Sequence, residues 1–363
     1  MHTSVGIITT HRVHNCGSFL QAYALQTAIK QWGYRIKFID YVPYRRGSSI
    51  NRFDAPVLLS HILHYLIRDI LHRRWALVID DIKLLRWNWM LRTKLYLTRK
   101  TFTSIDSLSV FCPKCDIYVV GSDQVWNERF MHNDSAYMLS FAPEGSRKFS
   151  YASSVANVQW SNDFKDLIRK HLTSFDKISC REKVNAHTLS LLINKEVSAV
   201  LDPVMLLSAD DWLRLLNIKT SNYEGGYILF FTYNYMQDIH QLSLSVLDEA
   251  IRDNPGKAVW SYKAIHGRNI RIVEMDTPAT FVNTIKNAHL VISDSFHAIA
   301  FSLLFNVPVM RVDTNGKSDV RIEDLCQRVA TFDGSLYRLD SKKMKEELAY
   351  SRHFLHEALT INR

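Results

Sequence analysis

The chain has 363 residues, enough for two domains of ordinary size that each bury a core. Hydrophobic residues at 47% and charged residues at 22% are globular values, which exclude a disordered or fibrous chain. The net charge of +9 is concentrated, because residues 43–100 hold twelve Arg and Lys against four Asp.

The chain opens without the charged start, apolar run and small-residue cleavage site of a leader, and no apolar stretch approaches a membrane span; a soluble cytoplasmic protein is expected. A strand is predicted over 5–9, then a polar loop, a helix over 18–32 closed by Gly33, and a strand over 36–41, which together make a βαβ unit. The loop reads His11, Arg12, Val13, His14, Asn15, Cys16, Gly17, Ser18. Its helix N-terminus suits a phosphate or carboxylate, and Ser18 serves equally well as a plain N-cap.

A helical insertion is expected at about 55–105. It mixes the basic residues with Tyr65, Trp75, Trp87, Trp89 and Tyr96, and sets Leu63, Leu66, Ile67 and Ile70 at helical spacing. Such helices suit an anionic membrane surface or a lipid-linked phosphate; the alternative is a helical face whose cations simply meet water. Nucleic acid is not expected, since no reader motif occurs.

Cys112 and Cys115 form a CxxC with no second pair of Cys or His, so no metal site is expected. A buried strand over 116–120 then breaks into Gly121, Ser122, Asp123, Gln124, Val125, Trp126 and Asn127. Ligands bind at the carboxyl ends of strands in open α/β sheets, so Asp123 is a candidate proton acceptor or sugar ligand. Trp126 either stacks on a sugar or covers a core edge.

Further alternation follows: a strand over 149–153, a helix over 164–172, a strand over 177–180 and a helix over 184–192, with 200–203 near the end of a first domain covering 1–205. Arg181 lies just past a strand, where it meets either an anionic ligand or a partner such as Glu182 or Asp176. The second domain, 206–340, is read as a helix over 209–216, a polar stretch at 220–226, strands over 227–232, 258–262, 270–273, 290–292 and 307–312, and helices over 239–252, 279–287 and 296–305. A last helix at about 342–359, in a segment 341–363, is expected to return to the first domain. Between strand and helix stand Ser293, Asp294, Ser295, Phe296 and His297. A histidine at such a turn transfers protons or meets an anion at the helix N-terminus, while a satisfied core histidine is the other reading. The expected architecture is two α/β halves with a crevice between them. No GxGxxG, HExxH or GxSxG occurs, so hydride transfer and serine hydrolysis are not suggested.

Six blocks in order, NCGSFLQAYALQ at 15–26, DIYVVGSDQVWN at 116–127, SYASS at 150–154, ISCREK at 178–183, LDPV at 201–204 and SDSFHAIAFSLLFNVPV at 293–309, resemble the polysaccharide pyruvyl transferase family. The resemblance implies a GT-B-like fold of two Rossmann-like domains facing a cleft. It also implies transfer of pyruvate from phosphoenolpyruvate onto a sugar, as a cyclic ketal, with no cofactor. It makes His297, Asp123 and Arg181 the catalytic candidates. Arg181, Ser295, His297, Gly17 and Ser18 are then expected at the donor, and Asn15, Ser122, Asp123, Gln124, Trp126 and Asn127 at a sugar acceptor that is lipid-linked. The chain departs from the family at Ser295, where many members carry Arg; donor binding then rests on Arg181, the helix N-terminus and Arg12 or Lys263. A glycosyltransferase using a nucleotide sugar, and a non-catalytic subunit that binds glycan or lipid carrier, are the alternatives.

Overall fold

The computed structural model describes residues 3–42, 59–131, 134–156, 160–219, 226–233, 237–313 and 319–360. Residues 43–58 of the basic segment and 220–225 of the polar stretch thus lie outside the described part. The chain divides into two compact units, Met1–Pro203 with Leu355–Arg363, and Val204–Phe354.

The first unit runs β1 (Ser4–Ile8), α1 (Cys16–Gln31), β2 (Arg35–Phe38), α2 (Leu59–Leu71), α3 (Trp75–Lys94), α4 (Ile105–Phe111), β3 (Ile117–Val120), α5 (Glu128–Met131), β4 (Arg147–Ser150), α6 (Asn162–Leu172), β5 (Ser179–Cys180), α7 (Lys183–Ile193) and β6 (Ser198–Ala199). Four strands form a parallel sheet in the order β2, β1, β3, β4, with Val5 opposite both Ile36 and Ile117. Bridges from Phe149 to Lys177 and from Ser153 to Cys180 carry the sheet on to the β5–β6 pair. Every residue of β3 is buried, which explains its unbroken apolar sequence: a parallel strand covered on both faces has no polar side.

Helix α1 begins two residues earlier than expected. Its N-cap is Asn15, whose side chain accepts from Ser18 N, and Gly33 closes the C-terminus at φ +85°. Helix α2 ends in a Schellman turn: Arg74 N donates to Asp69 O (2.8 Å), Arg73 N donates to Ile70 O (3.0 Å), and Arg73 sits at φ +52° where glycine is the usual residue. A side chain there costs about 1 kcal/mol. At the end of the chain, Tyr34 donates to Leu359 O, Arg147 to Ala358 O, and Lys177 pairs with Glu357, all inside the first unit.

The second unit runs α8 (Ala209–Leu215), β7 (Ile228–Phe231), α9 (Gln237–Asp253), β8 (Val259–Ser261), β9 (Arg271–Ile272), α10 (Pro278–Lys286), β10 (Leu290–Ser293), α11 (Phe296–Leu304), β11 (Val309–Arg311), α12 (Val320–Val329), β12 (Ala330–Phe332), β13 (Tyr337–Leu339) and α13 (Ser341–Thr360), the last helix entering the first unit at Leu355. Its sheet is ordered β12, β13, β11, β10, β7, β8, β9, parallel from β11 to β9. The antiparallel β12–β13 hairpin and α12 were not expected. Asp333 and Gly334 (φ +102°) make the hairpin turn, with Asp333 Oδ1 accepting from Ser335 N and Leu336 N. That Asp-Gly pair was a legible turn signal flanked by strands of only three residues. None of the described helices is long and apolar enough to cross a membrane.

One buried ion pair ties the first unit together. Just after β2, Asp40 takes Arg12 Nε at 2.6 Å and Thr101 Oγ1 at 2.7 Å, with His11 Nε2 at 3.2 Å, while Arg12 Nη1 donates to Asn88 of α3 at 2.6 Å. Burial would raise the Asp40 pKa, but the hydrogen bonds and charges of His11 and Arg12 hold it well below the usual carboxylate range. A depressed carboxylate stabilises the fold above the unfolded pKa of about 3.9, and that stability is lost as pH falls through the folded value. Asp40→Asn leaves the Arg12 cation buried and uncompensated, with an expected loss of about 3–5 kcal/mol in urea unfolding at neutral pH; an unchanged midpoint would refute this role.

Candidate active site

In an open parallel sheet, neighbouring strands whose connections leave in opposite directions open a crevice at their carboxyl ends, and ligands bind there. In the first unit that point lies between β1 and β3. Gln21 of α1 joins the two ends: its Nε2 donates to Thr9 Oγ1 (3.2 Å), its Oε1 accepts from Ser122 N (3.2 Å), and Thr9 Oγ1 donates to Ser122 O (2.8 Å). Gly121 needs φ +118°, and a Cβ there would stand 2.2 Å from Tyr151 O, so only glycine fits. Asp123 follows at φ +68°, a region that aspartate tolerates better than most residues.

This backbone brings Asp123 Oδ2 to 3.1 Å from both the Thr10 and Ser18 hydroxyls, and Oδ1 to 3.6 Å from Arg181 Nη2. Behind Asp123, Arg181 Nη1 donates to Asp202 at 2.8 Å and its Nε lies 3.5 Å from Glu182. Ser122 Oγ also donates to Asp202 (2.8 Å), and Ser154 and Asn185 donate to Glu182 (2.5 and 2.8 Å). Burial alone would lower the Arg181 pKa; Asp202, Glu182 and Asp123 override it and raise the value above the ordinary one. Asp202 and Glu182 are fully buried, whereas the Asp123 side chain is 15% exposed. The cluster therefore presents one carboxylate outward, with two hydroxyls and a guanidinium holding its orientation.

Several expectations change here. Arg181, expected at the donor, lies buried among three carboxylates, Asp123, Glu182 and Asp202. Trp126 is wholly buried with its indole N–H donated to Tyr137 O at 2.9 Å, which makes it core and not a sugar platform. Ser122 is buried on Asp202. Asn127 Nδ2 donates to Gln124 Oε1 (2.7 Å), and Asn127 Oδ1 accepts from Arg129 N (3.1 Å), so both side chains brace the turn into α5. Asn15 caps α1, Gly17 is buried in the first turn, and Ser18 contributes its hydroxyl to Asp123 instead of capping. His11 and Arg12, the latter expected to help hold the donor, both pair with the buried Asp40. His14 packs edge-on against Trp87 at 4.5 Å. Burial pushes the Cys112 and Cys115 thiols up to about 12 and about 11, and no group of three or more His, Cys, Asp or Glu suited to a metal ion occurs among the described residues. Thr10 and Asp202 were not foreseen as site residues; Asp202 stood in the LDPV block and was read only as a domain end.

In the second unit the equivalent point lies between β7 and β10. Ser293 Oγ donates to Phe231 O (2.6 Å) and accepts from Ser295 N (3.0 Å), while Asp294 accepts from Tyr233 N (2.8 Å). Ser295 is the N-cap of α11, accepting from Ala298 N, so its hydroxyl is used by the helix. His297 stands in the first turn of α11, partly buried, at the positive end of the helix dipole. From β8, Tyr262 donates to Thr232 O (2.6 Å), and Lys263 Nζ lies 5.1 Å from the Tyr262 ring centre. The carboxyl ends of β7, β8 and β10 thus hold a histidine, a helix N-terminus and a lysine.

The model for the polysaccharide pyruvyl transferase family matches residues 15–316. No curated protein matches the sequence. Among solved structures, Staphylococcus aureus MnaA in complex with UDP is similar, with a TM-score of 0.53 and 12% identity over 99% of this chain and 91% of that one. A Listeria monocytogenes protein described as a UDP-N-acetylglucosamine 2-epimerase follows with a TM-score of 0.50 and 10% identity, over 99% and 91% of the two chains. At these identities the likeness concerns the fold, a GT-B-like pair of Rossmann-type units.

If Arg181 neutralises the buried carboxylates, Arg181→Met strands them and lowers stability by about 3–5 kcal/mol in urea unfolding. A residue that only met a ligand would leave stability nearly unchanged. Gly121→Ala is expected to lose about 2–3 kcal/mol through the Tyr151 clash and the backbone it forbids; a melting temperature equal to that of the unsubstituted protein would count against this geometry.

Proposed function

The chain belongs to the polysaccharide pyruvyl transferase family, and on that premise we propose that it moves pyruvate from phosphoenolpyruvate onto two hydroxyls of a sugar. The product is a cyclic ketal on a lipid-linked precursor of a cell-surface polysaccharide. The observation that carries this reading is the place of His297, in the first turn of a helix at the strand-end crevice of the second unit. Phosphoenolpyruvate bears a carboxylate and a phosphate, and the helix N-terminus with Lys263 supplies positive potential for them.

Protonated His297 delivers a proton to the methylene carbon, which leaves positive charge at C2 of the enol ether. A sugar hydroxyl adds to C2 and passes its proton to a base, the role for which Asp123 is the candidate carboxylate. The C2–O bond to phosphate then breaks, inorganic phosphate leaves, and the second hydroxyl adds to C2 with loss of its proton. Phosphoenolpyruvate and a diol become a ketal and phosphate, with no net oxidation. Arg181 acts through Asp123, its guanidinium 3.6 Å from Oδ1 holding that carboxylate's orientation.

Purified protein given phosphoenolpyruvate and membrane-extracted glycan precursors is expected to release phosphate only when the precursors are present. Release of nucleotide from a nucleotide sugar instead would replace this reading with glycosyl transfer. His297→Ala and Asp123→Asn are each expected to lower kcat by about 10²–10⁴-fold. For His297→Ala the melting temperature should stay within a few degrees; turnover at the unsubstituted rate would remove His297 from the mechanism.

A further inference from the structure

The hairpin of α2 and α3 has an outer face that the reaction does not use. Leu63, Ile67, Ile70 and Leu71 recur at helical spacing along α2, and all are exposed. On α3 the same is true of Trp75, Ile79, Ile82 and Trp89, while Val78, Leu84, Trp87 and Leu91 face inward and are buried. Ile67, Leu71, Trp75, Ile79 and Trp89 are 60, 75, 63, 57 and 70% exposed, high values for large apolar side chains on two helices that pack together. Between Leu59 and Lys94 stand seven Arg and Lys against three Asp, and two of those, Asp69 and Asp81, are fully buried. At the tip, Arg73 keeps a charged side chain in a left-handed conformation that glycine would adopt without strain.

We propose that this hairpin face docks on an anionic lipid bilayer, with its apolar stripe in the headgroup boundary and its cations against the lipid phosphates. Charge selects this occupant. Arg68 and Arg74 pair with Asp69, but a second copy of the chain would bring one basic face against another, and a neutral apolar partner would leave Arg73, Arg86 and Arg92 without compensation. An anionic bilayer accepts both, since Trp and Leu partition into its interface while Arg and Lys reach its phosphates.

The inner side of α3 gives the docking a use. Asn88 accepts from Arg12 and Trp87 packs on His14, so the loop leading to Thr10 and Ser18 lies against the opposite face of the same helix. One helix diameter, about 10 Å, separates lipid-facing and loop-facing side chains. The docking stands on the hairpin alone; only its use, presenting a lipid-carried sugar to that loop, rests on the proposed reaction.

Flotation with vesicles tests the docking without substrate. The protein is expected to float with phosphatidylcholine vesicles containing phosphatidylglycerol and not with phosphatidylcholine alone, and high salt should weaken the binding. Arg73→Gly should lower affinity about fivefold without lowering the melting temperature. Leu71→Ser combined with Trp75→Ser should lower it at least about tenfold. No flotation, binding indifferent to the apolar substitutions, or a dimer that dissociates on making them would each overturn the proposal. Phosphate release from phosphoenolpyruvate is a separate readout, so failure of the reaction leaves the vesicle result interpretable.

Discussion

The first unit is organised around a charge that cannot leave the interior. Asp40 and Arg12 are both buried, and each is tolerable only because the other is present. Asp40 follows β2, Arg12 belongs to the loop after β1, and the free end of the Arg12 fork reaches Asn88 on α3. The requirement to pair these groups therefore positions the loop, the sheet edge and the basic hairpin together. With the loop held, Thr10 and Ser18 stand where their hydroxyls meet Asp123.

Asp123 shows how a parallel sheet fixes the orientation of a carboxylate. Gly121 supplies backbone that no other residue adopts there, Asp123 occupies a left-handed conformation, and a buried guanidinium lies behind it. Arg181 faces three carboxylates, two of them buried and held by Ser122, Ser154 and Asn185. Charge that would be costly in isolation is balanced within the cluster, and a single oxygen pair is turned outward. Such preorganisation puts the work of orienting the group into folding, so that little remains to be done when ligand arrives.

The second unit meets a similar requirement with a helix. Ser293 and Asp294 tie the end of β10 to β7, Ser295 caps α11, and His297 follows in its first turn. An arginine at 295 would bring cationic charge where this chain has a capping hydroxyl. The helix terminus and Lys263 bring positive charge to these strand ends.

Strands buried on both faces, a helix stripe and a glycine cap made the alternating α/β plan readable in order, and the polar runs after the strands marked where Asp123 and His297 would stand. Those features are local: a parallel strand needs continuous apolar residues, and a strand-end turn needs small and polar ones. Roles that depend on a distant partner were not readable. Trp126 lies in the same polar run as Asp123, yet its indole is buried on Tyr137, and Arg181 meets Asp202 twenty-one residues away. The short β12–β13 hairpin escaped because three-residue strands carry too little periodicity. By itself the sequence determined the strand and helix alternation, the family and the candidate loops, since these rest on patterns within one segment. Only the tertiary structure decided which polar groups face outward, because that depends on which buried charges the fold has already paired.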